Sequence, residues 1–168
     1  GPVGLGGVVT ARVRGARVIG AEPAPWRAER ARQMGATVID PRQTDALEQI
    51  SQLTDGRGVD SAVDCSGDGA AQRLCIDAAR RKGKVAFVGE SYEPLPITVS
   101  PDMIRKGLTL IGSWHYNLKL FPQVMGVIQR SPLIDRLISH VFPLSQIQQA
   151  FEVSAAGETA KVILQPWA

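Results

Sequence analysis

Residues 1–9, Gly-Pro-Val-Gly-Leu-Gly-Gly-Val-Val (GPVGLGGVV), decide how the rest of the chain reads. Leu5, Val8 and Val9 share one face at helical spacing, and Gly15 marks the stop. A helix opened by Gly1, Gly4 and Gly6 starts with unpaired N–H groups and the positive end of its dipole, which suits a pyrophosphate. Gly4 stands where a missing side chain lets helix and sheet approach closely. The same residues also read as close helix packing or a flexible terminus, and Gly1-Pro2 also fits the remnant of a purification cleavage site. A complete fingerprint needs a strand and one more glycine upstream, both before residue 1.

Working outward, Arg17 to Ala21 reads as a short strand and Glu22 follows it, 21 residues after Gly1. A dinucleotide site needs a carboxylate there to accept from the adenosine ribose hydroxyls. Such a carboxylate repels a ribose phosphate, so Glu22 favours NAD over NADP. Arg27 has the reach to lie at the adenosine end, and reads equally as a solvated arginine on a helix surface.

The strand-and-helix cycle then repeats, as expected of a parallel sheet with crossover helices. Trp26 to Met34 has helical composition and Gly35 closes it; Thr37 to Asp40 is a strand stopped by Pro41. Asp45 to Leu53 is a helix, Asp60 to Asp64 a strand, and about Ala70 to Arg80 a helix broken at Gly83. Arg80, Arg81, Lys82 and Lys84 are read as cations at that helix's C-terminus, facing the negative end of its dipole. Lys84 to Val88 is the next strand. Beyond residue 90 come a proline-containing loop, a short helix near Pro101 to Arg105, and a strand from Leu108 to Gly112. A helix from about Leu118 to Arg130 follows, then an extended Ile138 to Phe142. Next is a helix capped by Ser145 with Ile147, Ala150 and Phe151 on one face, and a last strand from Lys161 to Leu164 ends at Pro166.

Composition narrows the class. A chain of 168 residues and 18.0 kDa supports one domain, and 44% apolar residues with 17 glycines describe an ordinary globular chain. No run of 18 apolar residues reads as a membrane span, and no secretory signal organises the start, so the cytoplasm is the expected location. The net charge of +3 is carried by scattered residues without interleaved aromatics, which argues against nucleic acid. Cys65, Cys75, His115 and His140 form no zinc-ligand spacing.

In an open parallel sheet, ligands lie beyond the carboxyl ends of the strands. Cys65, Ser66 and Gly67 follow one strand and Val88 and Gly89 another, and small residues there let a flat cofactor lie close to the backbone. Cys65 reads as a snug contact, because no histidine is placed by sequence to activate it as a nucleophile. Asp68 is suited to cap the following helix. His115, in the stretch GSWHYN (112–117), reads either as a ligand-facing residue or as a half-buried histidine bonded to backbone; His140 reads as structural. Lys161 either reaches the pyrophosphate or sits at a solvated strand end.

GPVG, VIGAE, the RAERARQMGA helix end, VIDP, GRGVDSAVDCSG, GKVAFVG, LTLIGS, FPLSQIQQAF and GETAKVIL, in this order and spacing, resemble the cofactor domain of the zinc-dependent medium-chain alcohol and polyol dehydrogenases. Within that family they resemble the sorbitol and threonine dehydrogenase branch, over nearly the whole chain. The resemblance implies an α/β fold of Rossmann type, a doubly wound parallel sheet whose first strand lies outside the chain. It implies that Gly1, Pro2, Val3 and Gly4 are the surviving pyrophosphate loop, with Glu22 on the adenosine ribose and Arg27 beside it. It also implies that Cys65, Ser66, Gly67, Val88 and Gly89 line the nicotinamide half and that Lys161 approaches the phosphates. The segment holding Ser113 and Trp114 is expected near the nicotinamide and substrate cleft. The sorbitol branch carries arginine where His115 stands, which argues against a substrate role for His115.

The resemblance further implies an oxidoreductase that passes hydride between an alcohol or polyol and NAD, with zinc held by an N-terminal catalytic domain absent here. The expected domain organisation is one partial dinucleotide-binding domain over 1–168, with the chain from about residue 140 packing back toward that absent domain. No catalytic residue and no metal ligand are assigned to this chain, which alone is expected to be inert. The expected partners are the catalytic domain, a small alcohol or polyol substrate, and further copies in a homo-oligomer. A zinc-free quinone or enoyl reductase of the same superfamily, and a nucleotide-binding module without turnover, remain alternatives. The reductases usually prefer NADP and call for a basic or small residue at position 22.

Overall fold

The computed structural model describes residues 1–167. In chain order the elements are α1 (Pro2–Val13), β1 (Ile19–Ala21), α2 (Pro25–Gln33), β2 (Thr37–Ile39), α3 (Ala46–Leu53), β3 (Val59–Asp64), α4 (Gly69–Ala78) and β4 (Ala79–Phe87). They continue with β5 (Thr109–Gly112), α5 (Phe121–Arg130), β6 (Ile138–Pro143), α6 (Ile147–Ala155) and β7 (Lys161–Gln165). Every strand pairing among the described residues is parallel: β1 with β2, β3 with β4 and β4 with β5, and β6 with β7. The chain forms two compact units, one of Gly1–Asp40 with the chain from Leu118 onward, the other of Pro41–Asn117.

In the first unit, α1 and α2 are built alike. Each has proline at its start, where the fixed φ is already helical and the missing N–H costs nothing. Each ends before a left-handed glycine, Gly15 at φ 77° and Gly35 at φ 86°, and the next N–H reaches back five residues, Ala16 to Ala11 O and Ala36 to Ala31 O. Both helices bury one face. Leu5, Val8 and Val9 of α1 pack with Ala31, Met34, Ala36 and Ala160 as one core, with Trp26 and Val38 against it.

The second unit is the three-stranded sheet β3-β4-β5, where Ile76, Ala79, Val85 and Leu108 form the core. Its helices carry the side-chain caps: Asp45 accepts from the Glu48 N–H at the start of α3, and Asp68 accepts from the Ala71 N–H at the start of α4. Arg73 of α4 pairs with both Asp77 and Asp102, tying the helix to the wide turn Ser100–Ile104.

Three details depart from the sequence reading. The helix expected to run to Arg80 ends at Ala78, and β4 begins at the next residue, where Ala79 already pairs with Val59. The cations at its C-terminus are therefore not Arg80 to Lys84. Lys106 fills that role from 27 to 30 residues away, its Nζ donating to the carbonyls of Ile76 (2.9 Å), Asp77 (2.8 Å) and Ala79 (3.4 Å). Arg80 instead pairs with Asp60 on β3. Ser145 does not cap α6, because the chain first makes a tight turn at Leu144–Gln146 and the helix starts uncapped after Gln146. On α6 only Ala150 is buried, while Ile147 and Phe151 remain exposed.

Candidate functional site

In the first unit the chain brings Glu22 to the opening of α1. Glu22 leaves β1 with its N–H bonded to Ile39 O, which turns the side chain off the strand end. Its Oε1 accepts from the Ala24 N–H (3.0 Å), and its Oε2 lies 3.4 Å from the Gly1 nitrogen. The carboxylate keeps 20% of its side-chain surface exposed and has acceptor capacity left. Gly1 supplies no side-chain cap to α1, and its carbonyl takes the Leu5 N–H. Pro2 has no N–H to offer, so Val3 and Gly4 carry the orphan donors of the first turn. Val3 is 54% exposed there.

Arg27 is less free than the sequence suggests. Its Nε donates to Thr159 O (3.3 Å), which sets it beside the loop that leads into β7. Lys161 opens β7 opposite Ile138, with its side chain exposed. His140 stacks near Trp26 and Phe142 and lies 2.9 Å from the Ser139 hydroxyl, a structural setting in keeping with its reading.

In the second unit, two strand ends meet. Val88 and Gly89 leave β4 and donate their N–H groups to the carbonyl of Asp64, at 2.9 and 3.1 Å. This sets the Ser66–Gly67 turn so close to the next strand end that a Cβ on Gly67 would overlap Glu90 O, and one on Gly89 would overlap the Gly67 nitrogen. Gly67 also sits at φ 76°, where other residues are strained. Ser113 donates its N–H to Phe87 O (3.0 Å), so the end of β5 joins the same edge. Trp114 stands 71% exposed against the edge of His115, which has φ 52°. A cavity of about 630 Å³ in this unit opens at the other ends of the strands, around Ile50, Arg57, Ala79 and Arg80.

Sequence reasoning missed the residue that organises this edge. Asp64 is 2% exposed and saturated. Its Oδ1 accepts from the Ser66 N–H (2.9 Å), the Ser66 hydroxyl (2.7 Å) and the Gly67 N–H (3.3 Å). Its Oδ2 accepts from Gly67 (3.1 Å) and from the Gln72 amide (3.4 Å). Burial, and then the charge of Asp64, push the Cys65 thiol above its ordinary range. Burial, Asp64 and Cys65 together push Cys75 up to about 12. Burial thus disfavours at both cysteines the thiolate that a nucleophile needs.

Residues 2–130 match the family described as zinc-binding dehydrogenase, and the chain belongs to that family. It is 34% identical to an L-threonine 3-dehydrogenase of Bacillus licheniformis, over 99% of this chain and 49% of that protein. It is 35% identical to a sorbitol dehydrogenase of Bacillus subtilis, over 99% of this chain and 48% of that protein. Its fold superposes on an alcohol dehydrogenase from Thermotoga maritima with TM-score 0.89 at 32% identity, covering 98% of this chain and 47% of the other. The chain thus spans about half the length of the relatives it matches. The fold is the Rossmann-like α/β arrangement of medium-chain dehydrogenases, and the family resemblance read from the sequence holds. No helix of the described residues is long and apolar enough to cross a membrane.

Proposed function

We propose that this chain is the NAD-binding part of a dehydrogenase that acts on an alcohol or polyol. One observation carries the cofactor reading: the Glu22 carboxylate stands at the end of β1 beside the opening of α1, partly exposed and with acceptor capacity to spare. A ribose-binding acid and a phosphate-binding helix start must adjoin, because a ribose and its phosphate are adjacent in the ligand. In the first unit, Glu22 would accept from the adenosine ribose hydroxyls and the Val3 and Gly4 N–H groups would meet the pyrophosphate. Arg27 would flank the adenosine end and Lys161 would add positive charge toward the phosphates. In the second unit, Cys65, Ser66 and Gly67, with Val88, Gly89, Ser113 and Trp114, would line the nicotinamide half.

Bound NAD supplies the hydride acceptor. This chain's residues would hold it and set its register. Among the described residues no group of three or more His, Cys, Asp or Glu lies close enough to hold a metal, so the residues present do not fit a zinc site. In the whole protein, zinc and substrate contacts would come from a segment equivalent to the other half of the relatives, and the assembled protein would be a cytoplasmic homo-oligomer. The chain from about residue 140 would pack toward that segment.

Titrating the chain with NADH and NADPH tests this reading. NADH should bind at least about tenfold more tightly, a difference of about 1.4 kcal/mol, because Glu22 repels a ribose phosphate. Equal binding, or tighter NADPH, would remove the role given to Glu22.

A further inference from the structure

Resting on the reading of the 65–67 turn as a wall of the nicotinamide half, we propose that Asp64 is a positioning residue: its buried carboxylate fixes the backbone that the cofactor meets. Asp64 touches no ligand in this scheme. It consumes the donors of the turn, taking the Ser66 N–H, the Ser66 hydroxyl and the Gly67 N–H, while its main-chain carbonyl takes the Val88 and Gly89 N–H groups. One residue thus ties together the ends of β3 and β4. The Ser66 hydroxyl gives its one proton to Asp64 and accepts from the Asp68 N–H (3.1 Å), so it has no proton left for a ligand. With these donors turned inward, the turn meets a ligand through acceptors, which suits the hydroxyl or amide donors of a nicotinamide nucleoside.

The role needs a group that only accepts. Both carboxylate oxygens face N–H or O–H donors, and an ionised aspartate satisfies them all. An asparagine of the same shape sets its own NH2 against the Gly67 N–H whichever way it turns, together with the Gln72 amide in one orientation and the Ser66 donors in the other. Such a clash frees the turn without leaving a cavity. The close approaches at Gly67 and Gly89 allow little alternative packing, so a small displacement of the turn changes what a cofactor meets.

The test compares NADH with ADP-ribose, which lacks the nicotinamide, by calorimetric titration of the wild-type chain and of Asp64→Asn. The variant should bind NADH about tenfold more weakly and ADP-ribose within twofold of wild type. Val85→Ala is the control: it hollows the same unit's core away from the turn, and should lower the unfolding midpoint while leaving NADH affinity within twofold. If Asp64→Asn does not fold, Gln72→Leu removes one donor to Oδ2 and should weaken NADH about threefold with ADP-ribose unchanged. Unchanged NADH affinity, or equal weakening of both ligands, would overturn the positioning role. Failure of the wild-type chain to bind either ligand would overturn the cofactor reading, and the proposal with it.

Discussion

Two carboxylates stand at the ends of parallel strands in this protein, and they are held in opposite ways. Glu22, after β1, is partly exposed, meets one backbone N–H and approaches the opening of a helix. Asp64, the last residue of β3, is buried and accepts from Ser66, Gly67 and Gln72 until both oxygens are used. Their chemistry is the same and their places, at or just beyond the carboxyl end of a parallel strand, are alike. Lone-pair saturation separates them: the acid with acceptor capacity to spare is available to a ligand, and the saturated one can only organise protein.

Removing each side chain should break the symmetry in opposite directions. Asp64→Ala leaves the Ser66 and Gly67 N–H groups and the Gln72 amide without a buried partner, and should cost about 2–4 kcal/mol in urea unfolding. A loss under about 1 kcal/mol would put Asp64 on the same footing as Glu22. Gly67→Ala probes the same turn through shape, since its methyl must displace Glu90 O at a positive φ, and should cost about 2–3 kcal/mol. Glu22→Ala should change stability by less than about 1 kcal/mol yet weaken NADH about tenfold, the reverse pattern.

Smaller effects sharpen the picture of the second unit. Lys106→Met deprives the C-terminal carbonyls of α4 of their donor and should cost about 1 kcal/mol, comparable with losing a helix cap. The smallest effect is the pH dependence carried by Cys75. Because the folded state raises Cys75 from 9.0 to about 12, the stability gained by keeping it neutral is complete below pH 9 and is lost as pH rises toward 12. Urea midpoints from pH 8 to 11 should therefore fall more steeply for the wild type than for Cys75→Ala, with no difference at the acidic end of that range.

Much of the fold was legible because its signals are local. Gly15 and Gly35 at helix ends and Asp68 at a helix start act within a few residues of themselves. The exceptions are nonlocal. Lys106 takes over a helix end from across the unit, which no window around α4 displays. In the stretch DSAVD, Asp60 and Asp64 look equivalent, yet one is an exposed partner of Arg57 and Arg80 and the other is buried. Only tertiary burial tells them apart. On α6, periodicity shows that Ile147, Ala150 and Phe151 share a side, but not how far each is covered: Ala150 is buried, while Ile147 and Phe151 are exposed. At the candidate site, the spacing of Glu22 from Gly1 was visible, whereas the work of Asp64 depends on hydrogen bonds that close only in three dimensions.

The passage from Ala78 to Ala79, where α4 ends and β4 begins at consecutive residues, keeps its slack a step further on. From Ala79 to Lys84 the chain bulges, spending five steps where β3 spends two between Val59 and Ser61, with Lys82 at φ 58°. A residue inserted beyond the bulge, within Lys84–Phe87, would slip the pairing, and a slip of one position turns inward-facing side chains outward, carrying Val85 from the core to water. Length variants of this protein should therefore be tolerated around Tyr92 to Pro96, where Tyr92, Glu93, Pro94 and Pro96 are exposed and outside regular structure, and be lethal to folding within Lys84–Phe87.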